Sequence, residues 1–328
     1  MSPGIEKLRI NSFKEALENE RKPVFVYAPA IPKKRTDPGA VYKDSRELGR
    51  LLRDKDLDAV VGYEISEEAH WGGRIFRPEM VLYPNIDSGQ FVNDINSIAG
   101  HSTIVSVGAA YKTEEQFKLY LEERLKSGIK NYVLVGGETR ERKYPLTIPR
   151  ANEIAKSMLP KDGTVGNIFL AIRDNEPERM LRKTEAEADY FFGQVTFTGY
   201  EGYTAAKYVE LCEKNGIKPR RVFQSYTIPQ DQYSVDVLKH LGAHVPERIE
   251  EVVQTSDRKT LIEYLNQNAV NSWRQTKERI YEAGMNLPLG IIFEELAKSN
   301  RANTLGLVDN LSAERRVSLE LDTVVGSY

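Results

Sequence analysis

A unit made of an amphipathic helix, Gly-Ile-Lys and an apolar strand occurs twice between residues 102 and 227, and it restricts the fold more than any other feature. The helix ending Arg124-Leu-Lys-Ser-Gly128-Ile-Lys leads into Asn131-Tyr-Val-Leu-Val135, and the helix ending Cys212-Glu-Lys-Asn-Gly216-Ile-Lys leads into Arg221-Val-Phe-Gln-Ser225. Each glycine stands where a helix needs a left-handed residue before the chain turns into a buried strand. The same alternation extends outward. Strands are expected at 23–28, 58–65, 102–107, 131–135, 167–172, 190–196, 221–225 and 287–293, with helices between them. The strands are short apolar runs, as when both faces of a parallel sheet are covered. Eight such units predict a (β/α)8 TIM barrel over residues 1–310 with a C-terminal helical elaboration, followed by a tail over 311–328. A doubly wound sheet fits less well, because the first βα turn has no Gly-x-Gly-x-x-Gly.

In a repeated βα fold the ligand site forms at the C-terminal ends of the strands, which selects the polar residues to consider. Glu138 follows Gly136-Gly137 at the end of the fourth strand, where a carboxylate can face the mouth; the alternative is a surface pair with Arg140 or Arg142. Gln194 interrupts the apolar run Phe191–Phe197, and an amide there must find partners or cost about 1–3 kcal/mol. It either reads the edge of a pterin or flavin ring or bonds to a neighbouring strand. Glu64 ends the second strand and is a candidate proton donor if burial raises its pKa.

Composition removes several function classes. The 46 basic and 48 acidic residues are interspersed, leaving no field to gather nucleic acid or acidic lipid. No apolar run approaches the ~18 residues of a membrane span, and the start of the chain lacks a signal-peptide pattern. The single cysteine, Cys212, suits a reducing, cytoplasmic compartment. The four histidines lack metal-ligand spacing, so no metal is expected, and neither a P-loop nor a nucleophile elbow is present.

The colinear set Gly128 to Glu138, Glu176-Pro-Glu178, Gln194-Val-Thr-Phe197, Ile217 to Ser225 and Ile228-Pro-Gln-Asp-Gln-Tyr233 resembles the methylenetetrahydrofolate reductase family. That family is a flavin-containing barrel that reduces methylenetetrahydrofolate with NAD(P)H. The resemblance spans about residues 20–250 and implies a reduced folate or related pterin as ligand. It places Glu138 at the family's pterin-contacting aspartate, Gln194 and Phe197 in its folate-holding segment, and Tyr233 at its stacking aromatic. Tyr27 falls near the family's first-strand general acid, and Arg182-Lys183 matches a basic pair on the flavin side. The chain departs from the pattern there: the first-strand glutamate, a strand-three histidine (here about Ser106) and about ten residues of flavin-contacting helix are missing. The resemblance therefore implies NAD(P)H as donor and leaves FAD in doubt. Two other readings keep the pterin without a flavin. One is a methyltransferase acting between methyltetrahydrofolate and a corrinoid protein or other acceptor; the other is a non-catalytic pterin-binding subunit. A homo-oligomer or partner contact is expected through residues 250–328.

Overall fold

The computed structural model describes residues 12–20, 22–64, 86–137, 143–284 and 289–325, with side chains as far as residue 315. Eight parallel strands close a barrel in sequence order: β1 (Phe25–Ala28), β2 (Ala59–Gly62), β3 (Ser102–Val107), β4 (Asn131–Leu134), β5 (Thr164–Phe169), β6 (Tyr190–Val195), β7 (Arg221–Tyr226) and β8 (Gly290–Glu294). β8 returns to pair with β1, Phe25 against Ile291 through Ala28 against Glu294, so the (β/α)8 expectation holds.

Helix α1 (Phe13–Glu18) precedes β1. The layer around the barrel comprises α2 (Pro38–Leu52), α3 (Ser88–Ala99), α4 (Glu114–Lys126), α5 (Ile148–Met158), α6 (Glu176–Glu185), α7 (Glu201–Lys214), α8 (Gln232–His240), α9 (Glu247–Thr255), α10 (Arg258–Glu282) and α11 (Arg301–Val325). Local chemistry explains the ends that position the strands. Thr113 and Gln116 exchange side-chain and backbone bonds as a capping box at the start of α4. Gly128 and Gly216 adopt φ of +79° and +65°, and the following N–H groups of Ile129 and Ile217 reach back to Arg124 O and Cys212 O.

Two apolar layers separate the faces of each strand. Val26, Val61, Ile104, Val133, Tyr190, Phe192, Phe223 and Ile292 fill the interior, where α1 adds Phe13. Phe13 meets Tyr190 edge-on with centroids 5.4 Å apart, plugging the N-terminal end of the barrel. Glycines make room for these rings: a Cβ at Gly166 would lie 2.2 Å from Tyr190, and one at Gly290 2.3 Å from Phe223. The outer layer packs Phe25, Tyr27, Val105, Phe191 and Phe293 against the helices.

Besides shifts at strand ends, such as β2 stopping at Gly62, the structure differs from the sequence expectation in three places. β5 begins at Thr164 and ends at Phe169, because Thr164–Asn167 pairs with Asn131–Leu134; the apolar residues up to Ile172 lie beyond the strand, and Ile172 is exposed. Helix α1 forms where no element was expected. The division at residue 310 falls inside α11, which runs unbroken to Val325 with Leu311 and Arg315 fully buried. Residues 250–325 are thus part of the barrel's own construction, since they supply β8, α10 and α11. Among the described residues, no helix is long and apolar enough to cross a membrane.

Candidate ligand site at the barrel mouth

Strand parity decides which polar residues face the mouth. Two residues beyond the interior positions Val61, Ile104, Phe223 and Ile292 stand Tyr63, Ser106, Ser225 and Glu294, all directed to the same side of the wall. The Tyr63 hydroxyl donates to Glu294 Oε1 at 3.5 Å, and the Ser225 hydroxyl stands beside the Glu294 carboxyl. Ser225 Oγ donates to Gly193 O at 2.9 Å, and Thr227 Oγ1 donates to the Glu294 backbone carbonyl at 2.7 Å. Glu294 is therefore fixed at both its backbone and its carboxylate.

Burial pushes the Glu294 carboxyl up to about 7, only partly countered by the hydrogen bonds of Ser225 and Tyr63. Tyr63 is raised well above its ordinary value, first by burial and then by the Glu294 charge. A carboxyl with such neighbours can hold a proton near neutrality and release it to a ligand. Sequence reasoning missed it. The signal was the phase of Gly290-Ile-Ile-Phe-Glu294, in which the glutamate shares the parity of Gly290 and Ile292.

A second carboxyl lies just beyond β6. Thr196 Oγ1 donates to Glu201 Oε2, and burial raises Glu201 to about 7. Its surroundings form a buried network: Tyr226 donates to Gln224 Oε1 at 2.7 Å with Ser272 Oγ 3.4 Å from its hydroxyl, while Gln224 Nε2 donates to Thr276.

The residues selected from sequence are dispersed. Gln194 lies in a bulge of β6, between Phe192 paired with Phe223 and Val195 paired with Ser225. Its Nε2 donates to Leu241 O at 2.8 Å and its Oε1 accepts from the Val195 N–H at 3.0 Å. Those bonds use one of its two N–H groups and one of its lone pairs. Tyr233 is exposed on the first turn of α8. It lies eight residues, about 12 Å along the helix axis, from Leu241, whose carbonyl Gln194 reaches. Phe197 is buried in the outer apolar layer.

Tyr27 is a correction. It points outward, donating its hydroxyl to Glu295 Oε2 at 2.7 Å, and burial raises its pKa further above 10, so it cannot serve as acid in the mouth. Parity also turns Glu64 away from Tyr63, and its charge acts on Tyr120 of α4. Glu138 lies outside the described residues. The space left by Gly137 is taken by the ring of Tyr144, 2.0 Å from where a Cβ would stand.

Arg182 and Lys183 occupy the last turn of α6. Lys183 Nζ donates to Ile168 O at 2.7 Å and to Glu176 Oε1 at 3.4 Å, while Arg182 is exposed on the helix surface. This pair does not fit a flavin contact at the mouth. Among the described residues, no group of three or more His, Cys, Asp or Glu could hold a metal ion.

The sequence matches no protein-family model and no curated protein. Among solved structures, it is similar to an uncharacterized protein from Clostridium thermocellum that binds two copies of 5-methyl-5,6,7,8-tetrahydrofolic acid, with TM-score 0.72 and 16% identity over 91% of this chain and 98% of that one. Two structures of the carboxyl transferase domain of Rhizobium etli pyruvate carboxylase give TM-scores of 0.43 and 0.47 at 9% and 8% identity, covering 83% and 91% of this chain and 49% of each of theirs. At these identities the likeness establishes the barrel fold and nothing narrower.

Proposed function

We propose that the barrel mouth binds a reduced pterin of the tetrahydrofolate type and that the chain is an enzyme of one-carbon metabolism, with Glu294 as its acid. The observation that carries this reading is the inward Glu294 carboxyl at the end of β8, flanked by Tyr63 and Ser225 and titrating at about 7. The methyltetrahydrofolate bound by the Clostridium thermocellum protein, on the same barrel, supports the choice of ligand.

A reduced pterin carrying a one-carbon unit between N5 and N10 opens when a proton reaches N10. The C–N10 bond breaks, leaving an iminium at N5. Glu294 in its protonated form supplies that proton and is left as the carboxylate. Tyr63 and Ser225 hold its geometry, and Gln194 has one N–H and one lone pair left for the ring edge. The iminium then takes hydride from NAD(P)H, giving the methyl product and NAD(P)+. Methyl transfer from methyltetrahydrofolate to a corrinoid or another acceptor needs the same acid, here to protonate N5 as the methyl group departs. Arg182 and Lys183 give no support for a resident flavin.

Anaerobic incubation with methylenetetrahydrofolate and NAD(P)H tests the reductase form, with methyltetrahydrofolate and NAD(P)+ expected in equal amounts. Demethylation of methyltetrahydrofolate by a reduced corrinoid, without NAD(P)H oxidation, would assign methyl transfer instead. Failure of both reactions, together with failure to bind methyltetrahydrofolate, would overturn the proposal.

A further inference from the structure

A cavity ringed by charged side chains opens at the end of the barrel opposite the mouth. About 320 Å³ in volume, it lies between α1 and the segments entering β6 and β7. Four cationic side chains line it, Lys14, Lys218, Arg220 and Arg221, against two acidic ones, Glu18 and Asp189. Asp189 is turned to other partners, accepting from Lys156 Nζ at 2.7 and 2.6 Å and from the Val165 N–H at 2.7 Å. Glu18 is exposed at the rim.

The cations are anchored from behind. The guanidinium of Arg221, which is 1% exposed, donates to the carbonyls of Leu17 (3.0 Å), Asn19 (2.7 Å) and Lys22 (3.2 Å). Burial still brings its pKa down to about 10, so these neighbours do not make up for the hydration it has lost. Lys14 Nζ donates to Lys161 O at 2.7 Å, and Lys218 reaches Glu20 at 3.1 Å, a pair largely in solvent. Arg220 Nε is shielded from water with no hydrogen-bond partner among the described residues. Arg221 spends its donors on those carbonyls, whereas an ammonium offers three N–H donors and Lys14 and Lys218 each show one acceptor, so those two and the rest of the Arg220 guanidinium keep donors for a ligand.

We infer that this cavity binds a small dianionic oxyanion, a phosphate ester or a dicarboxylate, held by Arg220, Lys218 and Lys14. Such an anion supplies the missing acceptors, and charge-assisted bonds from guanidinium and ammonium groups are the stronger kind. It also bridges Lys14 of α1 to the entry of β7, fastening the plug at this end of the barrel. The site is independent of the mouth: Asp189, Arg220 and Arg221 stand at the N-terminal ends of the strands, and Glu294 stands at a C-terminal end.

The test is calorimetric titration of the full chain with inorganic phosphate and, separately, with glutarate, the stronger binder identifying the source. One saturable event per chain is expected for at least one probe, weakened about tenfold or more in Arg220→Gln and in Lys218→Gln. The same probe should raise the thermal midpoint of the wild type and do so less in the variants. Lys218 is exposed, so its substitution leaves the fold intact should Arg220→Gln not. Absence of saturable binding by both probes, or wild-type affinity in the folded variants, would overturn the inference.

Discussion

Glu294 and Glu295 are consecutive residues of one chemical type at one strand end, yet they face opposite sides of the barrel wall. Glu294 turns inward, its partners are the neutral hydroxyls of Tyr63 and Ser225, and its carboxyl is pushed up to about 7. Glu295 turns outward into an ionic cluster: Arg301 of α11 lies 3.1 Å from it and 2.7 Å from Asp44 of α2, Lys298 lies 2.6 Å from Asp44, and Tyr27 donates to Glu295. Burial raises Glu295 too, opposed by the Arg301 charge. Asp44 ends below its ordinary range, because the bonds and charges of Arg301 and Lys298 outweigh its burial. Position along a strand therefore leaves the role of a carboxylate undecided. What decides it is whether the face it occupies supplies a compensating cation. The outer glutamate ties β8 to α2 and α11, and the inner one keeps a mobile proton.

The largest effect is expected where that compensation is removed. Arg301→Met leaves Glu295 and Asp44 without their buried partner and should destabilise the fold by about 3–5 kcal/mol, measured by urea denaturation. A loss within the range of an ordinary surface substitution, about 0.5 kcal/mol, would mean that the outer cluster is not the tie described here.

The inner glutamate should instead reveal itself through pH. Its folded pKa of about 7 lies above the ordinary 4.5, so the folded state holds the proton more tightly than the unfolded chain does. The stability attributable to this group is fully present below 4.5 and is lost as pH rises through about 7. The loss is at most about 3 kcal/mol, less where solvent reaches the carboxyl. Glu201 titrates in the same window, so the difference between wild type and Glu294→Gln is the informative quantity. In denaturation series across this range, the variant should gain stability relative to wild type as pH rises, and a constant difference would place Glu294 in solvent.

A smaller effect is expected at Gln194, whose amide joins the β6 bulge to Leu241. Gln194→Ala should cost about 0.5–1.5 kcal/mol of stability by denaturant titration, because one side-chain bond to each neighbour is lost. No measurable cost would indicate that the amide serves the ligand alone.

The contrast also explains which parts of the molecule could be read from the sequence. Strands and helices followed from apolar periodicity, and Gly128 and Gly216 marked helix ends because only a residue without Cβ adopts their backbone conformation readily. β5 was displaced by three residues, since Leu170-Ala-Ile172 is as apolar as a strand and only pairing with β4 shows where the ladder stops. Helix α1 is too short for periodicity to announce, and its place depends on the aromatic interior that it plugs. The site was harder to find. Tyr27 took its expected role from the family resemblance, which sets it near a first-strand general acid, but parity directs it to the outer layer. Glu294-Glu295 in sequence looks like the start of a solvated loop, and a closed barrel is needed before one of the pair is seen to face inward.

The central claim, that Glu294 serves a reduced pterin in the mouth, is tested most directly by calorimetric titration of wild type and Glu294→Ala with 5-methyltetrahydrofolate at a pH below about 7, where the carboxyl is protonated. Saturable binding to wild type, weakened about ten- to a hundredfold in a variant whose circular dichroism is unchanged, is the predicted result. No binding to the wild type, or equal affinity in the two proteins, would contradict it.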